Sequence, residues 1–177
     1  MTEPAHGAGV VAIVPCPPGR EAELFRLRAR VWVEEGADPA AFPAGEWRDV
    51  HDATRQHWIV TDGGVLVGGA SLALHPALDA LDEPEAYVGV PLPAGGGLIA
   101  APGRVVVLAS HRGGGIAQRL LDVQDAEARA RGAVLAVRQA SPAMRRLLER
   151  RGWRYHHAGP PDARFPGVTF SVMSLPL

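Results

Sequence analysis

The sequence predicts an α/β domain, a mixed and largely antiparallel sheet of six or seven strands flanked by about four helices. Three observations carry this. Apolar runs of strand length alternate with stretches of helical period, two of the runs are joined by a glycine turn of hairpin type, and another passes through a glycine triplet into an amphipathic helix. With 177 residues the chain is long enough for one well-buried domain and short for two. Residues 10–177 are read as that domain, behind a small polar tail over 1–9 that is expected to be mobile.

The elements follow in order. Val10 to Val14 is a β-branched run suited to a first strand. After Pro17-Pro18-Gly19, the apolar residues Leu24, Leu27, Val31 and Phe25, Trp32 fall at i, i+3, i+7, the pattern of a helix with one buried face. Residues 36–50 carry proline and glycine breaks and no period, which reads as a surface loop with room for a short helical turn. His57 to Thr61 and Leu66 to Leu74 flank Asp62-Gly63-Gly64, where glycines supply the positive φ of a tight hairpin turn. Residues 75–102 are rich in proline and hold Gly95-Gly96-Gly97. A connection of that length is functional or mobile, with Gly97 to Ala101 as a short edge strand.

Arg104-Val105-Val106-Val107-Leu108 is a continuous apolar run typical of a strand covered on both faces. It delivers the chain into Gly113-Gly114-Gly115. Beyond them Ile116, Leu120, Val123 and Ala130 repeat at helical spacing, with Arg129 and Arg131 near the end and Gly132 as the stop. Val134 to Val137 is another buried strand. Ser141 and Pro142 open a further helix as N-cap and first-turn proline, Met144, Leu147 and Leu148 form its inner face, and Gly152 ends it. Trp153 to His156 and Val168 to Leu175 close the sheet around a loop holding Gly159-Pro160-Pro161.

Composition excludes some chemistry. All 18 basic side chains are arginine, so a Schiff-base or lysine-nucleophile mechanism is ruled out. A net charge of -1 gives no overall field for nucleic acid or an anionic membrane, and neither is expected as a partner. Cys16 is the single thiol, so no intrachain disulfide forms. The N-terminus shows no basic region followed by an apolar core, and no stretch approaches the ~20 apolar residues of a membrane helix. A cytoplasmic location is expected.

The glycine triplet sits between a buried strand and a helix start, where unpaired N–H groups and the positive end of the helix dipole point outward together. Such a turn attracts phosphate and could hold a pyrophosphate without a metal; it also reads as an ordinary tight connection. The wider pattern of strand, Arg112-x-x-Gly115-x-Ala117 and helix resembles the acetyl-CoA signature of the GNAT superfamily of N-acetyltransferases. Ser141 to Trp153 resembles that family's later Asn/Ser-x-x-Ala, helix, Gly-Phe segment, with Trp153 in place of Phe. The resemblance covers most of the chain.

It implies a GNAT fold and an acyl-CoA-dependent N-acyltransferase with acetyl-CoA, or another acyl-CoA, as co-substrate. The backbone of Val107, Leu108 and Ala109 would face the pantetheine and thioester. Amides of Arg112, Gly113, Gly114, Gly115, Ile116, Ala117 and Gln118 would hold the pyrophosphate, with Ser141 near the CoA arm. In that family the fourth and fifth strands splay apart to admit the donor, and a strand amide polarises the thioester carbonyl. The Arg112 guanidinium is read either as a phosphate partner or as a solvated side chain. The family's usual tyrosine acid, four residues before the Gly-aromatic pair, is here Leu148. Tyr155 is a substitute candidate, and its other reading is a strand tyrosine with its hydroxyl at the surface.

The acceptor side is read from Arg30-Val31-Trp32-x-x-Glu35 and from Glu46-Trp47-Arg48-Asp49-Val50-His51-Asp52. Carboxylates there could attract a cationic amine, and a carboxylate or imidazole could take the proton it must lose. Glu35 and Asp49 are the general-base candidates, and Arg30, Trp32 and Asp52 the acceptor-binding candidates; the other reading of the cluster is a solvated acidic loop. The same segment resembles the amino-terminal half of acyl-homoserine-lactone synthases, which leaves such an acyltransferase as one alternative. A non-catalytic acyl-CoA-binding module of the same fold is another. A Rossmann oxidoreductase fits worse, because Gln118 stands where a third glycine or alanine is wanted. His51, His57 and His75 match no zinc spacing and no metal is expected. The expected acceptor is a small-molecule or peptide amine, with a homodimer allowed.

Overall fold

The computed structural model describes residues 11–177. The tail expected over 1–9, and Val10, lie outside them. The described residues form one seven-stranded sheet in the order β1-β2-β3-β4-β5-β7-β6, with three α-helices and six short 3-10 segments. The strands are β1 (Ala12–Pro15), β2 (Gln56–Asp62), β3 (Val65–His75), β4 (Leu98–Val107), β5 (Ala133–Ala140), β6 (Arg154–Ala158) and β7 (Ser171–Pro176). The helices are α1 (Glu21–Glu34), α2 (Ile116–Ala130) and α3 (Pro142–Glu149). Every neighbouring pair is antiparallel except β4 and β5. Among the described residues no helix is long and apolar enough to cross a membrane.

The hairpin of β2 and β3 turns at Gly63 and Gly64, both at positive φ, as its local chemistry requires. On α1, Glu21 and Glu23 occupy the first turn, where carboxylates favour the dipole, Leu27 and Val31 enter the main core with Trp58 and Val60 of β2, and Leu24 is fully buried. The helix lies close to the sheet because Gly69 leaves room. A Cβ there would stand 2.4 Å from the Leu24 Cδ1 atom and 2.9 Å from the Trp58 carbonyl. Leu120, Leu121 and Ala128 bring α2 into the same core.

The structure corrects one strand. The edge strand expected over Gly97 to Ala101 and the buried strand over Arg104 to Leu108 are one element, β4, and it lies in the middle of the sheet. Pro102-Gly103 looks like a break in sequence, but the chain absorbs it as a bulge. Ser71 pairs with Gly103 and Gly69 with Val106, so β4 carries one residue more than β3, and Arg104 takes a left-handed φ of 53°. Bulges re-aim side chains beside functional sites. Gln124, fully buried on α2, donates to the carbonyls of Ser71 (2.6 Å) and Gly103 (3.0 Å) and so secures the bulge from the helix side.

The proline-rich connection before β4 is a cover. Leu81, Ala86, Tyr87 and Val90 pack on Ile99, Leu135, Val137 and Val172 of the sheet. Near the end of α1 a third cluster joins Phe42 to Phe165, with Trp32, Trp47 and Phe170 against it. Trp32 and Phe165 have ring centroids 4.5 Å apart. Aromatic surface from the 36–50 and 159–170 loops thereby holds two irregular segments in place.

Candidate active site

Strands β4 and β5 pair only through Leu98, Ile99 and Ala100, against Ala133, Leu135 and Ala136. Beyond Ala100 the pairing of the two strands ends, where β4 carries its bulge against β3 while β5 keeps an unbroken register with β7. Two cavities face the parted strands. One, of about 480 Å³, borders Val105, Val106, Val107, Ser141, Met144 and Leu147, with Trp32, Glu35, Arg112 and Ala117 at its margin. The other, of about 700 Å³, borders Ala101 to Arg104 of β4 and Val137 to Gln139 of β5, and is closed by parts of the 47–55, 81–87 and 160–165 segments.

The smaller cavity has a donor array at one end. Gly115 is the N-cap of α2 in a left-handed conformation, φ 78°, which glycine adopts without steric cost. The first intrahelical bond runs from the Arg119 N–H to the Gly115 carbonyl at 3.0 Å, leaving the amides of Ile116, Ala117 and Gln118 free of helix partners. A Cβ on Gly113 would meet nothing within 4 Å, and one on Gly114 only the His111 carbonyl at 4.0 Å. An anion can therefore reach the turn closely. The Arg112 amide is already engaged, donating to the Ala109 carbonyl at 3.3 Å, so the open amides begin at Gly113.

Arg112 itself ties the site together. Its Nε donates to the Val107 carbonyl at 3.1 Å and its Nη1 pairs with Glu35, which joins the end of β4 to the end of α1. The Leu108 N–H donates to the Val67 carbonyl at 2.9 Å. Because ladder bonds alternate along an antiparallel pair, the intervening Val107 turns its N–H and C=O away from β3. With the carbonyl taken by Arg112, the Val107 N–H is the strand donor presented to the gap. Ser141 caps α3, its hydroxyl accepting from the Met144 N–H at 3.4 Å, and borders the same cavity.

The other site candidates are placed as follows. Trp32 and Glu35 border the smaller cavity and Asp49 the larger. Asp49 pairs with Arg104 and accepts from the His51 N–H at 3.0 Å. Arg30 is exposed and bonds Glu34 at 2.8 Å along its own helix. Tyr155 lies under the Arg145 guanidinium, 3.9 Å from its ring centroid, on β6 beyond both cavities. Leu148 is wholly buried, and no hydroxyl stands in its place.

Asp52 faces inward. It forms a buried ion pair with Arg28 at 2.8 Å and closes a capping box with Asp49. The other Arg28 nitrogen donates to His57 Nδ1 at 3.0 Å, so His57 is the neutral tautomer whose Nε2–H donates to the Asp52 carbonyl at 2.9 Å. Burial, then the Arg28 charge, pushes the His57 imidazole below its ordinary titration. Burial would raise the Asp52 carboxyl, but Arg28 and the Asp49 amide outweigh it and hold it below the usual range.

Three groups in the larger cavity stand outside the candidate residues. His51 faces Asp82 with Nδ1 to Oδ1 at 3.3 Å and its side chain is about half exposed. Gln139 donates to Glu83 at 2.6 Å. Arg138 is buried in the wall. His51 is visible in the acidic cluster, yet its partner lies in the 75–102 segment, whose path has no period to betray it.

A sequence model described as the acetyltransferase (GNAT) family matches residues 21–153, and no curated protein matches the chain. Among solved structures it is similar to an acetyltransferase of the GNAT family from Staphylococcus aureus (TM-score 0.65, 13% identity, over 95% of this chain and 99% of that one). It is similar also to FeeM, an N-acyl amino acid synthase from uncultured soil microbes (TM-score 0.63, 13% identity, 94% and 92%). A third is yncA of Salmonella typhimurium with its cofactor acetyl-CoA (TM-score 0.62, 18% identity, 94% and 94%). At these identities the likeness is one of fold.

Proposed function

The chain belongs to the acetyltransferase (GNAT) family, and from that premise we propose that it is an acyl-CoA-dependent N-acyltransferase acting on the amine of a small molecule or peptide. The observation that carries this reading is the parting of β4 from β5. It sets an apolar cleft beside Val105 to Val107 of β4 and a larger charged cavity between the preceding stretch of β4 and Val137 to Gln139 of β5.

The residues suit an acyl-CoA. Open amides from Gly113 to Gln118 at a helix start match a pyrophosphate, and Val105, Val107, Met144 and Leu147 give an apolar wall for the pantetheine arm. Acetyl-CoA would supply an acyl carbon activated as a thioester, with the C–N bond forming as the C–S bond breaks. The Val107 N–H is placed to stabilise the developing oxyanion. His51, oriented through Nδ1 by Asp82, takes the ammonium proton on Nε2. Asp49 is already engaged, paired with Arg104 and accepting from the His51 N–H, and so serves as a positioning group rather than the base. Glu35 holds Arg112 and serves the donor side. The thiolate, with a pKa near that of free thiols, takes its proton from water rather than from residue 148.

The test is CoA release with an amine panel, using acetyl-CoA and longer acyl-CoAs. His51→Ala should lower kcat by about 10²-fold or more, with acyl-CoA affinity unchanged. If acyl-CoA raises Tm but no amine accelerates CoA release, the protein is a binding module and the catalytic reading is wrong. Preference for long chains would move it toward the homoserine-lactone-synthase type.

A further inference from the structure

Four guanidiniums border the larger cavity, and three of them are matched. Arg55 pairs with Asp82 and Arg104 with Asp49, while Arg164 pairs with Asp162 at 2.6 Å. The side chain of Arg138, on β5, has no acidic partner within ion-pair distance and no hydrogen bond among the described residues. It is 5% exposed. Its Nε and Nη1 are buried without a partner, and the nearest aromatic face is Trp153, 5.9 Å from its Cζ. Nη2 is neither bonded nor fully sealed, and the residue lines the larger cavity.

A buried cation with no ion-pair partner is costly, the one acidic field that favours it being that of Asp125, which is itself paired with Arg151, and an apolar side chain of similar volume would serve packing better. Burial pushes the guanidinium down to about 10, so it remains charged at neutral pH. Tyr87 lines the same wall. In the same cavity Glu83 and Glu85 supply negative charge; Glu83 accepts from Gln139, the neighbour of Arg138 on β5, and lies 3.8 Å from Arg164, which it shares with Asp162.

We infer that this cavity takes an amine that also carries a carboxylate, of amino-acid size, with the carboxylate received by Arg138 and the ammonium drawn by Glu83 and Glu85. A guanidinium suits a carboxylate through paired N–H donors. The inference rests on the larger cavity being the acceptor side of the proposed transferase.

The test pairs each standard L-amino acid, and short ω-amino acids, with its primary amide. CoA release is measured with acetyl-CoA, and binding without it by intrinsic tryptophan fluorescence. At least one acid should react with a kcat/KM about 10- to 100-fold above its amide, the usual range for a charge-assisted contact. Arg138→Met should erase that difference, raise the Tm of the free protein because a buried charge is gone, and leave acyl-CoA affinity unchanged. Arg138→Lys should restore part of the preference. Turnover of amides equal to that of acids overturns the inference while the transferase stands. Arg138-dependent binding of an acid without turnover upholds the inference while the transferase fails. Neither turnover nor binding of any acid overturns both.

Discussion

Replacing Asp52 by Ala separates an architectural carboxylate from an acceptor-binding one. Its side chain is 2% exposed and its Oδ1 lies 2.8 Å from Arg28, which is itself fully buried. Removing it strands the guanidinium and deletes the capping box it forms with Asp49. Breaking a buried pair from one side costs about 3–5 kcal/mol, and the lost cap adds about 1 kcal/mol. At roughly 2–4 °C per kcal/mol for a chain of this size, Tm should fall by about 8–24 °C in calorimetry. The double variant Arg28→Met with Asp52→Leu should recover most of it, since neither charge is then orphaned. A drop of less than about 3 °C together with a raised KM for the acceptor would refute the reasoning and return Asp52 to the acceptor.

The remaining predictions follow the same network and the donor turn. His57 titrates low in the fold, so the unfolded chain binds the extra proton first; stability is full above about pH 6.5 and lost as pH falls below it. Asp52 adds a second loss as pH falls below its ordinary 3.8. Calorimetric Tm flat from pH 7 to 5 would contradict this. Gly114→Asp meets no close atom and should keep Tm while weakening CoA binding at least 10-fold through its charge at the cradle. Gly115→Ala, at φ 78°, should instead cost about 1–2 kcal/mol of stability; unchanged CoA affinity in the Gly114 variant would displace the pyrophosphate site. Tyr155→Phe should leave kcat within twofold, because its ring sits against Arg145 on an edge strand, and a tenfold fall would make it the missing acid.

The elements legible in the sequence are those whose cause is local. The β2–β3 hairpin follows from its glycine turn, the helices from their period, and the opening of α3 from Ser141 and Pro142. Irregular stretches hid the rest. Pro102-Gly103 reads as a chain break until β3 lies alongside and Gln124 takes up the carbonyls of Ser71 and Gly103. Arg138 stands one residue beyond the run read as the strand Val134 to Val137, and only the lack of a facing carboxylate makes it notable.

By itself the sequence determined the α/β fold class and that a glycine turn between a strand and a helix carries open amides, because turn conformations and helix ends depend on a few adjacent residues. The tertiary structure decided which charges meet. Glu35 clamps Arg112 across 77 positions, Asp52 turns inward to Arg28 and His57, and Asp82 faces His51 from the cover of the sheet. Such pairings depend on where the parted strands and the packed loops bring distant residues, and a linear spacing holds no record of that.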